Sequence, residues 1–205
     1  MRSFPDRHFD LVLTDPPYGI NYGGMIRGKG DGRGGSDKNG WKSYDAPEWD
    51  EERPGRDYFD EIFRVSKNQI IWGGNYFADF LPVKMGWLVW DKGQRNFSLA
   101  DGELAWTSFT RALRIFTYAR STALKDGKEH PTQKPVDLFA WCLKQAGVPE
   151  NGGGYSVLDP FLGSGTTALV CEKMGLSWVG IERESRYVDI AQRRVNSERA
   201  QGKLF

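Results

Sequence analysis

The run Phe9-Asp10-Leu11-Val12-Leu13-Thr14 passes without a break into Asp15, Pro16, Pro17 and Tyr18. Bulky, branched residues in a short unbroken run are what a strand buried on both faces requires. Such a strand needs parallel neighbours reached by helical crossovers, so the run commits the chain to an α/β sheet. The two prolines make its exit stiff, because neither carries an N–H and each pushes the residue before it toward extended geometry.

That exit carries chemistry. The Asp15 carboxylate and the Pro16 carbonyl offer two acceptors at the carboxyl end of a strand, where open α/β sheets place their ligands, and the Tyr18 ring stands beside them. A group with two N–H bonds on a flat ring, such as the exocyclic amine of a nucleobase, suits the pair. The competing reading of Asp15 to Tyr18 is a turn that merely closes the strand.

Further along, residues 57–65 carry Phe59, Ile62 and Phe63 at helical spacing, and residues 68–72 read as a strand. Residues 86–90 form another strand. Residues 104–109 and 113–118 read as an antiparallel hairpin on the edge of the sheet. Pro135 suits the first position of a helix whose buried face is Leu138, Trp141, Cys142 and Gln145. Residues 156–158 form a strand, 166–174 a helix, 178–181 a strand, and 185–199 a final helix with Val188, Ala191 and Val195 on one side. Strands alternating with helices give a mostly parallel, doubly wound α/β sheet covered on both faces.

A second stretch, Asp159-Pro160-Phe161-Leu162-Gly163-Ser164-Gly165-Thr166-Thr167-Ala168, leaves one strand and enters a helix. Its glycines let the backbone approach a ligand at the helix amino end, and Glu182 ends the following strand, where a carboxylate can accept from ribose hydroxyls. Gly163, Gly165 and Ala168 satisfy a dinucleotide fingerprint, so an NAD-dependent enzyme competes here. Asp159 argues against it: an acid entering the turn repels a pyrophosphate but welcomes a cationic ligand such as S-adenosylmethionine. Lys134, beside a helix start, could meet that ligand's carboxylate.

The chain of 205 residues is expected to form one domain, 1–205, and its net charge of +1 leaves any nucleic-acid binding to a local patch. Between Tyr22 and Lys42 the cations Arg27, Lys29, Arg33, Lys38 and Lys42 alternate with glycines. Such a segment is too polar to bury itself, and is expected to be a mobile loop that tracks DNA phosphates. No apolar run is long enough to span a bilayer, so a cytoplasmic location without membrane contact is expected. Two His and two scattered Cys give no metal-site spacing; Cys142 and Cys171 read as buried thiols and no metal is expected.

Taken together, Asp15-Pro16-Pro17-Tyr18, His130-Pro131-Thr132-Gln133-Lys134-Pro135 and the Asp159 to Thr167 turn resemble the amino-methylating DNA methyltransferases of the permuted beta group, in which the catalytic motif precedes the cofactor motif. Gly73-Gly74-Asn75-Tyr76-Phe77 and Trp90-Asp91-Lys92 are similar to phage-type members of that group. The resemblance implies a methyltransferase fold of the S-adenosylmethionine-dependent type, DNA as partner, and transfer to adenine N6, with Asp15, Pro16, Pro17 and Tyr18 holding the flipped base. It places Asp159, Phe161, Gly163, Ser164, Gly165, Thr166 and Glu182 around the cofactor. Cytosine N4 is the rival target, an acid in the first motif position favouring adenine. A non-catalytic nucleic-acid-binding relic of the fold stays open, as does self-association as a homodimer.

Two departures from the family pattern stand out. Members carry, ahead of the catalytic strand, a further edge strand whose terminal acid contacts the cofactor's adenine, and residues 1–8 are too few to hold it. Only residues 119–129 separate the hairpin from His130, which leaves no room for a target-recognition insert. Weakened cofactor binding and short or lax sequence recognition are the expected consequences.

Overall fold

The computed structural model describes residues 1–20, 52–95, 100–119, 122, 133–149 and 151–201. The basic segment with Arg27, Lys29, Arg33, Lys38 and Lys42, and His130 to Thr132, lie outside the described residues.

Strand β1 (Phe9–Thr14) is an interior strand of a sheet with seven strands among the described residues, with β2 (Ser66–Trp72) on one side and β6 (Ser156–Asp159) on the other, both parallel to it. Leu11, Val12 and Leu13 are fully buried, as a strand covered on both faces demands. Asp10, the one acid inside the run, joins both neighbours: its carboxylate accepts from the Ser156 N–H and hydroxyl at 2.9 Å and pairs with Lys67 at 2.7 Å. A register slip would break all of these contacts at once.

Beyond β6 lies β7 (Ser177–Gly180), also parallel, and among the described residues the sheet ends there. On the other side the order runs β2, β4 (Gly102–Thr107), β3 (Trp87–Asp91), β5 (Arg114–Thr117). Strand β4 is antiparallel to both β2 and β3, whereas β5 is parallel to β3.

The expected edge hairpin of residues 104–109 and 113–118 is therefore corrected. Those segments are strands, but β3 lies between them. The end of β4 stays with β2, where the Ser108 N–H donates to the Gln69 carbonyl at 3.1 Å. The end of β5 is fixed to β3 by the Tyr118 N–H on the Asp91 carbonyl and the Trp90 indole on the Tyr118 carbonyl, both 2.9 Å. Alternation in a sequence reports that a strand exists, not which strand it lies beside.

Helix α1 (Arg56–Val65) buries Phe59, Ile62 and Val65 against one face of the sheet, packed with Val12, Ile71 and Phe77. Helices α2 (Val136–Gln145) and α3 (Thr166–Lys173) cover the opposite face over Leu11, Leu13 and Trp72. The buried face of α2 is Leu138, Phe139, Cys142 and Leu143, which corrects the expectation for Trp141 and Gln145; Trp141 instead meets the Phe116 ring on β5 at 5.2 Å. Pro135 caps α2 one residue before its first turn. Helix α4 (Ser185–Gln201) buries Tyr187, Ala191 and Val195, and Val188 is exposed, one position off the expected face. Cys142 and Cys171 are buried thiols, and no described helix is long and apolar enough to cross a membrane.

Candidate active site

Because β1 and β6 are paired neighbours, Asp15 and Asp159 emerge side by side at the same end of the sheet. A cavity of about 480 Å³ opens there, lined by both acids together with Pro17, Lys134, Phe161, Gly163, Ser164, Thr166 and Glu182. That volume lies in the ordinary range of small-molecule sites. Pro16, Tyr18 and Gly165 are not among the cavity's lining residues, and Tyr18 meets the site through its hydroxyl on Asp15.

Asp159 is nearly fully buried and uses both carboxylate oxygens. Oδ1 accepts from the Thr14 hydroxyl at 2.7 Å and the Phe161 N–H at 3.0 Å, and Oδ2 accepts from the Thr167 hydroxyl at 2.5 Å. Burial raises its carboxyl to about 6, against the opposing pull of those three donors. Among the described residues no cation pairs with it. A buried carboxylate with donors but no counter-ion, at the wall of a cavity, fits a ligand that brings a positive charge.

The turn after Asp159 is held by two anchors. Glu182 Oε2 accepts the Gly163 N–H at 2.8 Å while Oε1 accepts the Glu184 N–H at 2.8 Å, and Arg194 of α4 donates to the Ser164 carbonyl at 2.7 Å. Gly165 caps α3 at φ +83°, where a Cβ would stand 2.7 Å from the Ala191 side chain, so the turn and α4 approach more closely than any other residue allows. Phe161 meets Tyr58 of α1 with ring centroids 5.7 Å apart, an aromatic pair at the cavity wall.

On the β1 side, Asp15 Oδ1 accepts from the Tyr18 hydroxyl at 2.6 Å and Oδ2 from Lys134 Nζ at 2.6 Å. Lys134 also stands 3.0 Å from Glu103 of β4, whose other oxygen pairs with Lys92 at 2.6 Å. Lys134 therefore lines the cavity as the sequence suggests, but its ammonium is committed to Asp15 and Glu103. Burial works against that ammonium, and the two acids outweigh it and hold the group well above its ordinary value. Burial raises the Asp15 carboxyl, with Lys134 pulling it back and the Glu103 charge adding to the rise.

The Tyr18 ring stacks on Tyr76 at 4.7 Å and 16°, edge-on to Phe77. Gly73, at φ +70°, makes room for it: a Cβ there would fall 2.1 Å from the Tyr18 ring. Gly73→Ala is expected to cost about 2–3 kcal/mol from the left-handed backbone and the displaced ring together. A thermal melt checks this, and an unchanged transition would contradict the assigned packing.

Sequence reasoning missed Thr14, Thr167, Glu103, Lys92 and Tyr76. Both threonines donate to Asp159; Thr167 lies in the same glycine turn and carried a local signal, whereas Thr14 reaches Asp159 only because β1 and β6 are paired. Tyr76 and Lys92 fell within stretches quoted for the family resemblance but without a role, and Glu103 carried no signal, because its pairing with Lys92 depends on β3 and β4 lying side by side. No group of three or more His, Cys, Asp or Glu among the described residues is arranged to hold a metal ion.

Residues 71–193 match the family model for N6/N4 methyltransferases, described as DNA methylase. The match begins in β2 and so lies wholly downstream of Asp15 to Tyr18. The chain is 27% identical over 244 aligned positions to the type II methyltransferase M.HinfI of Haemophilus influenzae, covering 95% of this chain and 65% of that protein. It is 25% identical to the type II methyltransferase M2.DpnII of Streptococcus pneumoniae, covering 92% of this chain and 83% of that one. Among solved structures, the M1.HpyAVI complex with S-adenosylmethionine superposes with a TM-score of 0.56 at 23% identity, covering 95% of this chain and 91% of that one, a likeness of fold.

Proposed function

Since the chain belongs to the DNA methylase family, whose model spans residues 71–193, we propose that it transfers a methyl group from S-adenosylmethionine to N6 of adenine in DNA in the cytoplasm. The observation that carries this reading is the meeting of Asp15 and Asp159 at one cavity, the first just past the end of β1 and the second the last residue of the adjacent β6. S-adenosylmethionine, when bound, supplies a methyl group on a sulfonium sulfur.

The residues then have separable tasks. An adenine amine is a weak nucleophile because its lone pair is delocalised into the ring. Asp15 and the Pro16 carbonyl each accept one of its N–H bonds, which draws the nitrogen toward a pyramidal geometry and localises its lone pair on the side that faces the methyl. Orientation accounts for most of the acceleration, and no covalent intermediate with the protein is needed. The amine nitrogen that takes the methyl group would shed one proton, which Asp15 accepts and passes to water. The base must leave the duplex to reach this site, and the aromatic surface of Tyr18 offsets part of the stacking it loses. Asp159, Phe161, Gly163, Ser164, Gly165, Thr166 and Glu182 surround the cofactor, with Asp159 supplying negative charge toward its cationic end. The basic segment of residues 22–42 tracks the DNA backbone.

The experiment uses DNA, tritiated S-adenosylmethionine and digestion to nucleosides. Label in N6-methyladenosine supports the reading; label in N4-methylcytosine moves the target to cytosine, which the family model equally embraces. No label, without a melting shift from S-adenosylhomocysteine, would leave the non-catalytic relic. A melting shift with NAD instead would restore the dehydrogenase.

A further inference from the structure

Both oxygens of the Asp15 carboxylate are in use before any base arrives. Lys134 holds Oδ2 at 2.6 Å and Tyr18 holds Oδ1 at 2.6 Å. Each oxygen has a second lone pair, but a neutral amine competes poorly for a carboxylate held by a charge-assisted bond, roughly twice as strong as its own, unless the ammonium has somewhere equivalent to go.

The structure offers such a place. Glu103 Oε2 is buried and lies 3.0 Å from Lys134 Nζ, within ion-pair range but without a well-aligned hydrogen bond, and no other donor reaches it among the described residues. Its partner oxygen is paired with Lys92 at 2.6 Å. Lys134 is only 5% exposed, so an ammonium leaving Asp15 cannot simply move into water. Lys134 thus contacts two acids, with the short, aligned bond on Asp15 and a longer ion pair to a Glu103 oxygen that can take a full hydrogen bond.

We infer that Lys134 is a two-position latch on the base site: it bonds Asp15 while the site is empty and passes that bond to Glu103 Oε2 when a flipped base's amine claims Asp15. This rests on the reading of Asp15 as the amine acceptor. Glu103 is then a positioning residue, acting on the base only through Lys134. Burial by itself would favour a neutral Glu103, but Lys134 and Lys92 hold its carboxyl down at about 2, so the receiving oxygen stays charged at any working pH. The latch also favours release of product. A methylated amine keeps one N–H where the substrate had two, so Lys134 regains Asp15 against weaker competition.

Two substitutions with opposite expected signs test the latch. Glu103→Gln removes the receiving charge, so Lys134 stays on Asp15; KM for DNA should rise about tenfold, the weight of one hydrogen bond to a charged group, with little change in kcat. Lys92→Met leaves Glu103 with Lys134 as its sole cation, which draws the ammonium off Asp15 and should lower KM for DNA. Affinity for S-adenosylmethionine, followed by calorimetric titration, should hold in both. Melting curves come first. If the Glu103→Gln protein is unfolded, Lys92→Met decides alone: a lower KM supports the latch, and an unchanged or higher KM overturns it. In a folded Glu103→Gln protein, an unchanged KM or a fall confined to kcat overturns it. Wild-type protein runs alongside, and its failure to label DNA would count against the proposed activity, a result distinct from active variants lacking the KM shifts.

Discussion

Asp15→Ala is expected to abolish methyl transfer, by at least about a thousandfold in kcat, because the amine loses an acceptor that orients it. The protein should still fold. Lys134, deprived of Asp15, keeps Glu103 at 3.0 Å, so no buried ammonium is left unpaired. The cofactor side of the cavity rests on other groups, the Thr14, Thr167 and Phe161 donors around Asp159 and the Glu182 contact to Gly163. Affinity for S-adenosylmethionine should therefore be nearly intact. Calorimetric titration beside a tritiated-methyl assay separates the two effects, and near-normal turnover in the variant would refute the role assigned to Asp15.

Asp159→Asn should act in the opposite way, strengthening the fold while weakening the site. The carboxyl titrates near 6 in the folded protein against an ordinary value of 3.8. A group raised in this way lends the fold most stability below pH 4, loses it as the pH climbs from about 4 through about 6, and changes little above that. Keeping it ionised at pH 7 costs about 3 kcal/mol, from roughly 1.4 kcal/mol for each tenfold weakening of the acid. An asparagine has an oxygen for Thr14 and the Phe161 N–H, and an amide N–H that can meet a rotated Thr167 hydroxyl. It should raise stability at pH 7 by about 1–2 kcal/mol once imperfect hydrogen bonds are allowed for. The neutral side chain gives up its attraction for a cationic ligand, so affinity for S-adenosylmethionine should fall about tenfold or more. Melts of both proteins between pH 4 and 7.5, differenced, isolate this group. A variant that keeps the wild-type slope across that window would show that Asp159 is not its source.

The two acids illustrate how a stability cost can sit at a ligand site. Asp159 would be easier to bury as an amide, yet its charge is what a sulfonium or ammonium can use. Asp15 is partly buried beside Tyr18 and Lys134, whose donors leave its carboxylate oriented before a base enters.

Much of the site was legible residue by residue. A stiff exit from an apolar run, and an acid followed by a glycine turn into a helix, are local patterns, and each follows from the φ limits of proline or the freedom of glycine. The strands themselves were equally legible, β1 most of all. The faces of α2 and α4 were less so. Phe139 turns inward beside the expected Leu138, and Tyr187 does so in place of Val188, each a single step of helical rotation from the expected stripe. Which of two adjacent apolar residues turns inward is settled by the neighbour it meets.

What the chain's sequence determined by itself was the existence of a buried central strand, a rigid acidic exit and a second acidic turn, because each depends on a handful of consecutive residues. What only the tertiary structure decided was their company. That β3 lies between β4 and β5, and that Glu103 thereby reaches Lys134 from the far side of Asp15, depends on contacts between segments distant in the chain. Ion pairs of that kind have no spacing rule, since burial and the closure of the whole sheet, not nearness in sequence, bring the charges together.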